Sequence, residues 1–131
     1  MNATKTDIRF TPPDDEDARA LRVVMDVMRL FRDESPTIPV SYAMAFLLVA
    51  LKPGGGSTDY MNDLDTIQPI MSRILLALGH KERRKPLGES GADLIDFAPD
   101  PLDLRRNRTY LTPKGQRLMR KVVEATNRLK R

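Results

Sequence analysis

Apolar residues recur at intervals of three and four along most of this chain, which is the period of an amphipathic helix. Between residues 14 and 31 this pattern marks two apolar stripes instead of one. The first stripe consists of Ala20, Val23, Val24, Val27, Leu30 and Phe31, and the second of Leu21, Met25 and Met28. Because a helix with two apolar sides needs two packing partners, we predict that one stripe packs on the chain's own core and the other on a second subunit.

The next helix, residues 41–51, is apolar almost all round, so we expect it to be fully buried at the centre of the domain. The glycines at 54–56 stop it. They are interpreted as a plain turn, since no Lys-Ser/Thr pair of a phosphate-binding loop follows them. Ser57 is the predicted N-cap of a short helix that ends near residue 63.

The pattern then predicts a helix over residues 67–78, with Thr66 as its cap and Pro69 in its first turn. Its predicted buried stripe consists of Ile70, Ile74, Leu75 and Leu78. Its predicted exposed face carries Gln68, Met71, Ser72 and Arg73. A helix with one face in a small core and a polar N-terminal face is typical of a recognition helix that enters a DNA groove.

A polar loop over residues 81–91 separates this helix from a predicted β-hairpin. Leu94, Ile95 and Phe97 form the first strand, and Tyr110 and Leu111 are the predicted antiparallel return. Residues 98–108 would form a turn-rich, basic tip. A last helix begins at residue 112, and its predicted apolar stripe consists of Leu118, Met119, Val122, Val123, Thr126 and Leu129.

Charge is distributed unevenly along the chain, whose net charge is +4. Residues 105–131 contain ten basic residues against Glu124 alone. This asymmetry indicates either a face that binds a polyanion or a solvated helix that happens to be basic, and charge alone does not decide between them.

Composition excludes several classes of protein. The chain has no cysteine, which excludes disulfides and thiolate zinc sites, and a single histidine, His80, argues against a catalytic triad. We therefore expect no enzyme, no metal and no cofactor. The carboxylates of Asp93, Asp96, Asp100 and Asp103 do not have the spacing of a calcium loop. The longest apolar run, residues 40–51, is shorter than the roughly 20 residues that span a bilayer, and no signal peptide is apparent, so a cytoplasmic location without a membrane is expected.

The order of these elements resembles the MarR family of winged-helix regulators over residues 15–131. The stretch DPLDLRRNRTYLTPKGQRLM, residues 100–119, is similar to that family's wing: an Asp- and Arg-rich tip followed by a Leu-Thr-x-x-Gly helix start, here Leu111, Thr112 and Gly115. Met71, Ser72 and Arg73 resemble the hydrophobic-Ser-Arg of its recognition helix. The chain departs from the family in being short, in its long 81–91 loop and in the few charges on the recognition helix.

The resemblance implies a mainly α fold with a small β-hairpin wing, a winged helix-turn-helix with N- and C-terminal dimerisation helices. Residues 1–13 would be a flexible arm and residues 14–131 one domain. Within it, 14–33 and 112–131 would be the dimerisation helices and 38–111 the DNA-binding core. The implied function is a homodimeric, sequence-specific transcription regulator, in the first instance a repressor, on a near-palindromic site in double-stranded DNA. A small-molecule effector is implied, but the sequence names none.

Ten residues are the expected DNA contacts: Gln68, Met71, Ser72, Arg73, Arg83, Arg84, Lys85, Arg105, Arg106 and Arg108. Arg73 would contact a guanine or a phosphate, and Gln68 could bind adenine. Arg105 and Arg106 suit the minor groove, where negative potential is concentrated. Arg83, Arg84 and Lys85 could hold phosphates beside the wing.

Structural alternatives stay open for several of these residues. Arg73 could pair with Asp63 or Asp65, and Arg105 or Arg106 could pair with Asp103. The Ser72 hydroxyl could bond its own helix backbone. A rival function from another class is a winged-helix module that docks an acidic protein partner without binding specific DNA.

Overall fold

The computed structural model describes residues 7–79 and 92–130. These residues form five α-helices, a two-stranded antiparallel hairpin and two short 3-10 turns. The helices are α1 (Asp15–Glu34), α2 (Val40–Leu51), α3 (Ser57–Tyr60), α4 (Gln68–Leu78) and α5 (Pro113–Thr126). The strands are β1 (Ile95–Asp100) and β2 (Asp103–Leu111), and the 3-10 turns are Ile8–Phe10 and Asn127–Leu129.

The two outer helices begin at side-chain caps that are local in sequence. The Asp14 carboxylate accepts a hydrogen bond from the Asp17 backbone N–H at 2.8 Å, ahead of three acidic residues that favour the positive end of the α1 dipole. The Thr112 hydroxyl accepts from the Gly115 N–H at 3.0 Å, and Pro113 occupies the first turn of α5. Both helices therefore begin where the sequence predicted, with their caps at residues 14 and 112.

All five helices and the hairpin contribute to one hydrophobic core. Phe31 of α1 packs edge-on against Phe46 of α2, with ring centroids 5.6 Å apart. The largest fully buried side chains of the core are those of Tyr60, Phe46, Met71, Leu78, Leu94, Ile95 and Val49. Helices α1 and α5 contact each other, and Arg128 pairs with Asp26 at 2.6 Å where α5 ends. The core therefore supports α4 and the hairpin from behind.

Helix α2 is not fully buried, so that prediction is wrong. Ala45, Phe46 and Val49 are buried, but Val40 is 71% exposed and Leu51 is 74% exposed. Apolar residues at nearly every position make the helix hydrophobic all round, yet only one side of it is fully buried in the core. Tyr42, Leu47 and Leu48 are partly buried beside the core, while Val40, Met44 and Leu51 stay exposed.

The glycine segment is more than a plain turn. The Gly54 N–H donates to the Thr109 carbonyl at 2.7 Å, and the Thr109 N–H donates to the Gly55 carbonyl at 2.8 Å. The segment thus pairs with the outer side of β2, as a further strand would. Gly54 has a φ of +100°, a conformation that glycine adopts without strain.

Helix α3 is shorter than predicted and begins at Ser57 instead of being capped by it. The Asp59 carboxylate accepts from the Gly56 N–H at 2.7 Å, which satisfies the backbone at this end. The chain then turns through Asp65, whose φ is +53°, and enters α4. Thr66 does not cap α4, because the cap position is Ile67, which makes no side-chain cap hydrogen bond.

The hairpin is longer than predicted because most of the expected tip is paired. Ile95 lies opposite Leu111, Phe97 opposite Thr109, and pairing continues to Pro99 and Asn107. An irregularity at Pro99 and Asp100 precedes the turn, which is formed by Pro101 and Leu102. The wing is therefore a two-stranded arm with one irregularity near its turn and basic side chains along β2.

Some predictions fall on residues that the structure does not describe. The 81–91 loop and His80 lie outside the described residues, as do residues 1–6 of the predicted arm. Within that arm, residues 8–10 form the 3-10 turn, where the Asp7 side chain accepts from the Arg9 N–H at 3.1 Å. In the described ranges, no helix is long and apolar enough to cross a membrane.

Candidate nucleic-acid interface

Helix α4 buries a different face from the one predicted. Met71 is fully buried and Ile70 is 43% exposed, the reverse of the sequence prediction. Met71 therefore offers no surface to DNA, and its assignment as a contact residue is wrong. The physical reason is that α4 has apolar residues on nearly every side, so its period alone does not fix which stripe faces the core. Ile74, Leu75 and Leu78 are buried as predicted.

Arg73 lies on the exposed side of α4. Its guanidinium makes no ion pair with any residue in the ranges 7–79 and 92–130. The expected competitor Asp63 is instead bonded to Lys52 at 2.8 Å, and this contact raises the pKa of the Lys52 ammonium. Within the described chain, Arg73 is therefore available to an external anion.

Two polar residues at the N-terminal part of α4 differ in how they are held. The Gln68 amide donates to the Ser57 hydroxyl at 3.1 Å, which links the starts of α3 and α4. The Ser72 hydroxyl is half-buried and makes no hydrogen bond with the described residues, including its own helix backbone. Ser72 thus keeps its donor and both of its acceptor lone pairs for a ligand.

On the wing, Arg105 pairs with Asp103, as the structural alternative predicted. The guanidinium Nε lies 3.2 Å from Oδ1 of Asp103, whose carboxylate also accepts from the Arg105 backbone N–H at 3.1 Å. These two hydrogen bonds, the side-chain one first, lower the pKa of the Asp103 carboxyl. The pair lies next to the turn of the hairpin, and the Arg105 side chain stays 90% exposed.

Arg106 has a partner that the sequence did not indicate. Its Nη2 lies 2.9 Å from Oδ2 of Asp59, the residue that also accepts from the Gly56 N–H. This ion pair joins the wing to the start of α3 across 47 positions of sequence. Arg106 is therefore not a free cation in the isolated chain.

Arg108 is exposed, and its guanidinium lies beside the glycine segment. A Cβ built on Gly54 would meet the Arg108 Nη2 atom at 3.3 Å. Arg108 makes no ion pair among the residues that the structure describes. Arg83, Arg84 and Lys85 lie outside the described residues, so their predicted phosphate contacts stay predictions.

A groove separates the start of α4 from the wing, with a volume of about 340 Å³. Four polar residues that the sequence analysis did not name as DNA contacts line it, namely Ser57, Thr58, Asn107 and Thr109. At their sequence positions they look like ordinary helix-start and strand residues. Only the pairing of β2 with the glycine segment brings them beside Gln68 and Ser72.

The second apolar stripe of α1 stays uncovered in the single chain. Leu21 is 58% exposed, Met25 is 51% exposed and Met28 is 60% exposed. Val23 and Phe31, on the first stripe, are buried. The helix therefore has one buried and one exposed apolar side, as predicted, except that Val24 of the first stripe is 49% exposed.

Comparison with known proteins identifies the fold. No protein-family model matches the sequence, and no curated protein sequence is similar to it. Among solved structures, the transcriptional repressor CouR, bound to a 23-mer DNA duplex, is similar with a TM-score of 0.54 at 23% identity. This similarity covers 84% of the present chain and 68% of CouR.

Two further structures support the same conclusion. A MarR-family transcription regulator is similar with a TM-score of 0.56 at 24% identity, covering 80% of this chain and 62% of that one, so the present chain spans less than two thirds of its length. A MarR-like regulator from Thermotoga maritima is similar with a TM-score of 0.55 at 20% identity, covering 90% and 79%. The predicted architecture is therefore confirmed: the chain has the mainly helical winged helix-turn-helix fold of MarR-type transcription regulators.

Proposed function

We propose that this protein is a DNA-binding transcription regulator that binds a near-palindromic site as a homodimer. We propose further that it acts as a repressor. The observation that carries the proposal is Arg73, an exposed cation that has no ion pair among the described residues, on the helix that lies across a polar groove from an arginine-bearing wing. The DNA duplex bound by the structurally similar CouR supports DNA as the ligand of this face.

In this proposal α4 enters the major groove and the wing reaches the adjacent minor groove. Arg73 contacts a guanine or a phosphate, while Gln68 and Ser72 contribute base or backbone contacts near the start of the helix. Arg105 and Arg108 extend from the wing toward the duplex. Arg83, Arg84 and Lys85 are proposed to hold phosphates beside it.

The uncovered stripe of α1 supports the homodimer. A single helix and wing offer little contact area, and pairing two copies about a twofold axis is the usual route to specific affinity. Leu21, Met25 and Met28 would pack against the partner copy, with α5 contributing the other half of the interface. We propose a cytoplasmic location. We propose that any effector is a small molecule, whose chemical class the sequence does not indicate.

A direct test compares Arg73→Ala with Arg32→Ala in binding to duplexes selected from a random pool. Arg32 is an exposed cation in the last turn of α1, so its removal matches the change in net charge. We expect Arg73→Ala to weaken binding to the selected site by about 1–3 kcal/mol and to relax the preference at one base pair, with Arg32→Ala close to wild type. Equal behaviour of the two variants would contradict the proposal.

One observation favours the rival function, a module that docks an acidic protein. Arg73 is the single charged residue of α4, and Ile70 and Leu76 beside it are 43% and 48% exposed. In that case the basic face of α5 would supply the contact. Replacing Arg120 and Lys121 together with alanine would then abolish partner binding, while Arg73→Ala would leave it unchanged.

A further inference from the structure

The groove between α4 and the wing has a defined place in the proposed complex, and the inference here rests on the proposed function. If α4 lies in a major groove and the wing in the adjacent minor groove, one sugar–phosphate strand separates them. That strand must pass between the two elements. The groove of about 340 Å³ is the space that the structure leaves at this position.

The lining of this groove has the chemistry of a phosphate site. Ser57, Thr58 and Ser72 present hydroxyls, and Asn107 presents an amide. The Thr109 side chain, also part of the lining, is fully buried and has no hydrogen-bond partner for its hydroxyl within the described chain. Buried hydroxyls are normally satisfied, so an unsatisfied one in the lining indicates a missing polar ligand or its hydration water.

The groove lining contains two arginines, each in an ion pair: Arg105 with Asp103 beside the hairpin turn, and Arg106 with Asp59. Arg106 belongs to the lining, and its guanidinium is bonded to Asp59 at 2.9 Å. Both side chains are about half exposed, at 50% and 47%. Water therefore screens the charges, and the ion pair is weak. Asp59 is also fixed by the Gly56 N–H at 2.7 Å, so the flexible arginine side chain is the partner free to move.

We infer that this groove binds one backbone phosphate of the duplex, and that Asp59 competes with this phosphate for the Arg106 guanidinium. In the free protein Asp59 neutralises Arg106. In the complex the guanidinium turns to the phosphate, and the Asp59 carboxylate opposes binding by repulsion. Asp59 thereby weakens contact with any duplex, because a phosphate carries no sequence information, and leaves a larger share of affinity to the base contacts.

The variant Asp59→Asn tests this competition. Its amide oxygen can still accept from the Gly56 N–H, so the start of α3 keeps its hydrogen bond while the charge is lost. Each protein phosphate contact steepens the plot of log affinity against log salt by about 0.9. We expect Asp59→Asn to steepen this plot by up to that amount on a mixed-sequence duplex, and to raise affinity at low salt by roughly two- to fivefold.

Asp63→Asn is the matched control. Asp63 is an exposed carboxylate in a Lys52 ion pair of 2.8 Å, four residues further along the chain and outside the groove lining. Its neutralisation changes net charge by the same amount, so any difference between the two variants reports the groove. Arg106→Gln completes the set. It should reduce affinity more in the Asp59→Asn background than in wild type, because only there is Arg106 fully committed to the phosphate.

Fluorescence anisotropy over a salt series measures the affinity of each variant and its salt dependence. Circular dichroism melts verify that each variant is folded. A steeper plot for Asp59→Asn than for Asp63→Asn supports the competition. If folded Asp59→Asn binds less tightly than wild type, or binds with the wild-type salt dependence, the competition is overturned. The ion pair of Asp59 and Arg106 would then only stabilise the fold. A wild-type protein that binds no duplex at low salt overturns the proposed function itself, which is a distinguishable result.

Discussion

The backbone carbonyl of Leu94 occupies the place that a side chain on Gly115 would need. A Cβ at residue 115 would clash with this oxygen, which accepts a hydrogen bond from the Thr112 N–H at 3.0 Å. The Thr112 hydroxyl donates to the neighbouring Asp93 carbonyl at 2.7 Å. The Leu-Thr-x-x-Gly stretch at the start of α5 is thus a joint that presses the helix end directly onto the backbone before β1.

Gly115→Ala should destabilise the protein by about 2 kcal/mol, measured by urea unfolding. Alanine favours a helix interior over glycine by about 1 kcal/mol, but the clash is with backbone that is itself hydrogen bonded and cannot move cheaply. Gln116→Ala, at the next and exposed position, is the control and should change stability little. A stabilised Gly115→Ala protein would show that α5 is not seated on Leu94.

Tyr60→Phe should cost about 1–3 kcal/mol of unfolding free energy although it removes a single oxygen. The buried Tyr60 hydroxyl donates to the Lys52 carbonyl at 2.6 Å and accepts from the Gly55 N–H at 3.1 Å, and burial raises its pKa. Its loss leaves both backbone groups without that partner, next to the segment that pairs with the wing.

Tyr110→Phe is the comparison for that experiment. Unlike the buried Tyr60, Tyr110 on strand β2 is 41% exposed. Its hydroxyl makes no hydrogen bond in the described ranges. The urea unfolding midpoint of Tyr60→Phe should therefore lie clearly below that of Tyr110→Phe. Equal midpoints would mean that the Tyr60 hydrogen bonds contribute nothing net.

Asp26→Asn should destabilise the protein at neutral pH and have no effect in acid. Arg128, and to a lesser degree Arg29, bond the Asp26 carboxylate and lower its pKa from the ordinary 3.8. Because the folded-state pKa is depressed, the stabilisation is present above 3.8 and is lost as the pH falls through the folded value. Thermal melts across a pH series measure the difference between wild type and variant.

The control for the pH series is Asp33→Asn. Asp33 lies on the same helix, is exposed and has no ion pair within the part of the chain described. Its replacement should shift the melts by the same small amount at every pH. A difference for Asp26→Asn that persists unchanged to pH 2 would assign the effect to something other than the ion pair with Arg128.

Met25→Glu combined with Met28→Glu should convert the proposed homodimer to a folded monomer. Both side chains are at least half exposed in the single chain, and charges buried in an apolar interface without partners are strongly unfavourable. Analytical ultracentrifugation measures the mass. Leu51→Glu, which places one such charge on a residue of α2 that is 74% exposed, should leave the mass unchanged. A wild-type monomer, or a double variant that still dimerises, would contradict the proposed interface.

The helices, the hairpin and the start of α5 at Thr112 could be predicted because they depend on short-range patterns, whereas the contact of Gly115 with the Leu94 backbone could not. Asp14 and Thr112 cap helices whose first residues follow at once, and the periodicity of α1 shows two stripes wherever its partners lie. Helix α4 marks the limit of this reasoning. It is apolar at so many positions that Met71 and Ile70 fit the inward stripe about equally well, and the sequence prediction chose the wrong one.

The partners of the wing arginines show the same limit from another side. The Arg105 pair with Asp103 is two residues apart and could be weighed from sequence, whereas the Arg106 pair with Asp59 spans 47 residues and could not. The amino-acid sequence by itself determined where the helices and strands form and what charge they carry. The tertiary structure decided which face of α4 is buried, which aspartate pairs with Arg106 and which polar residues share a groove, because those outcomes depend on packing between segments far apart along the chain.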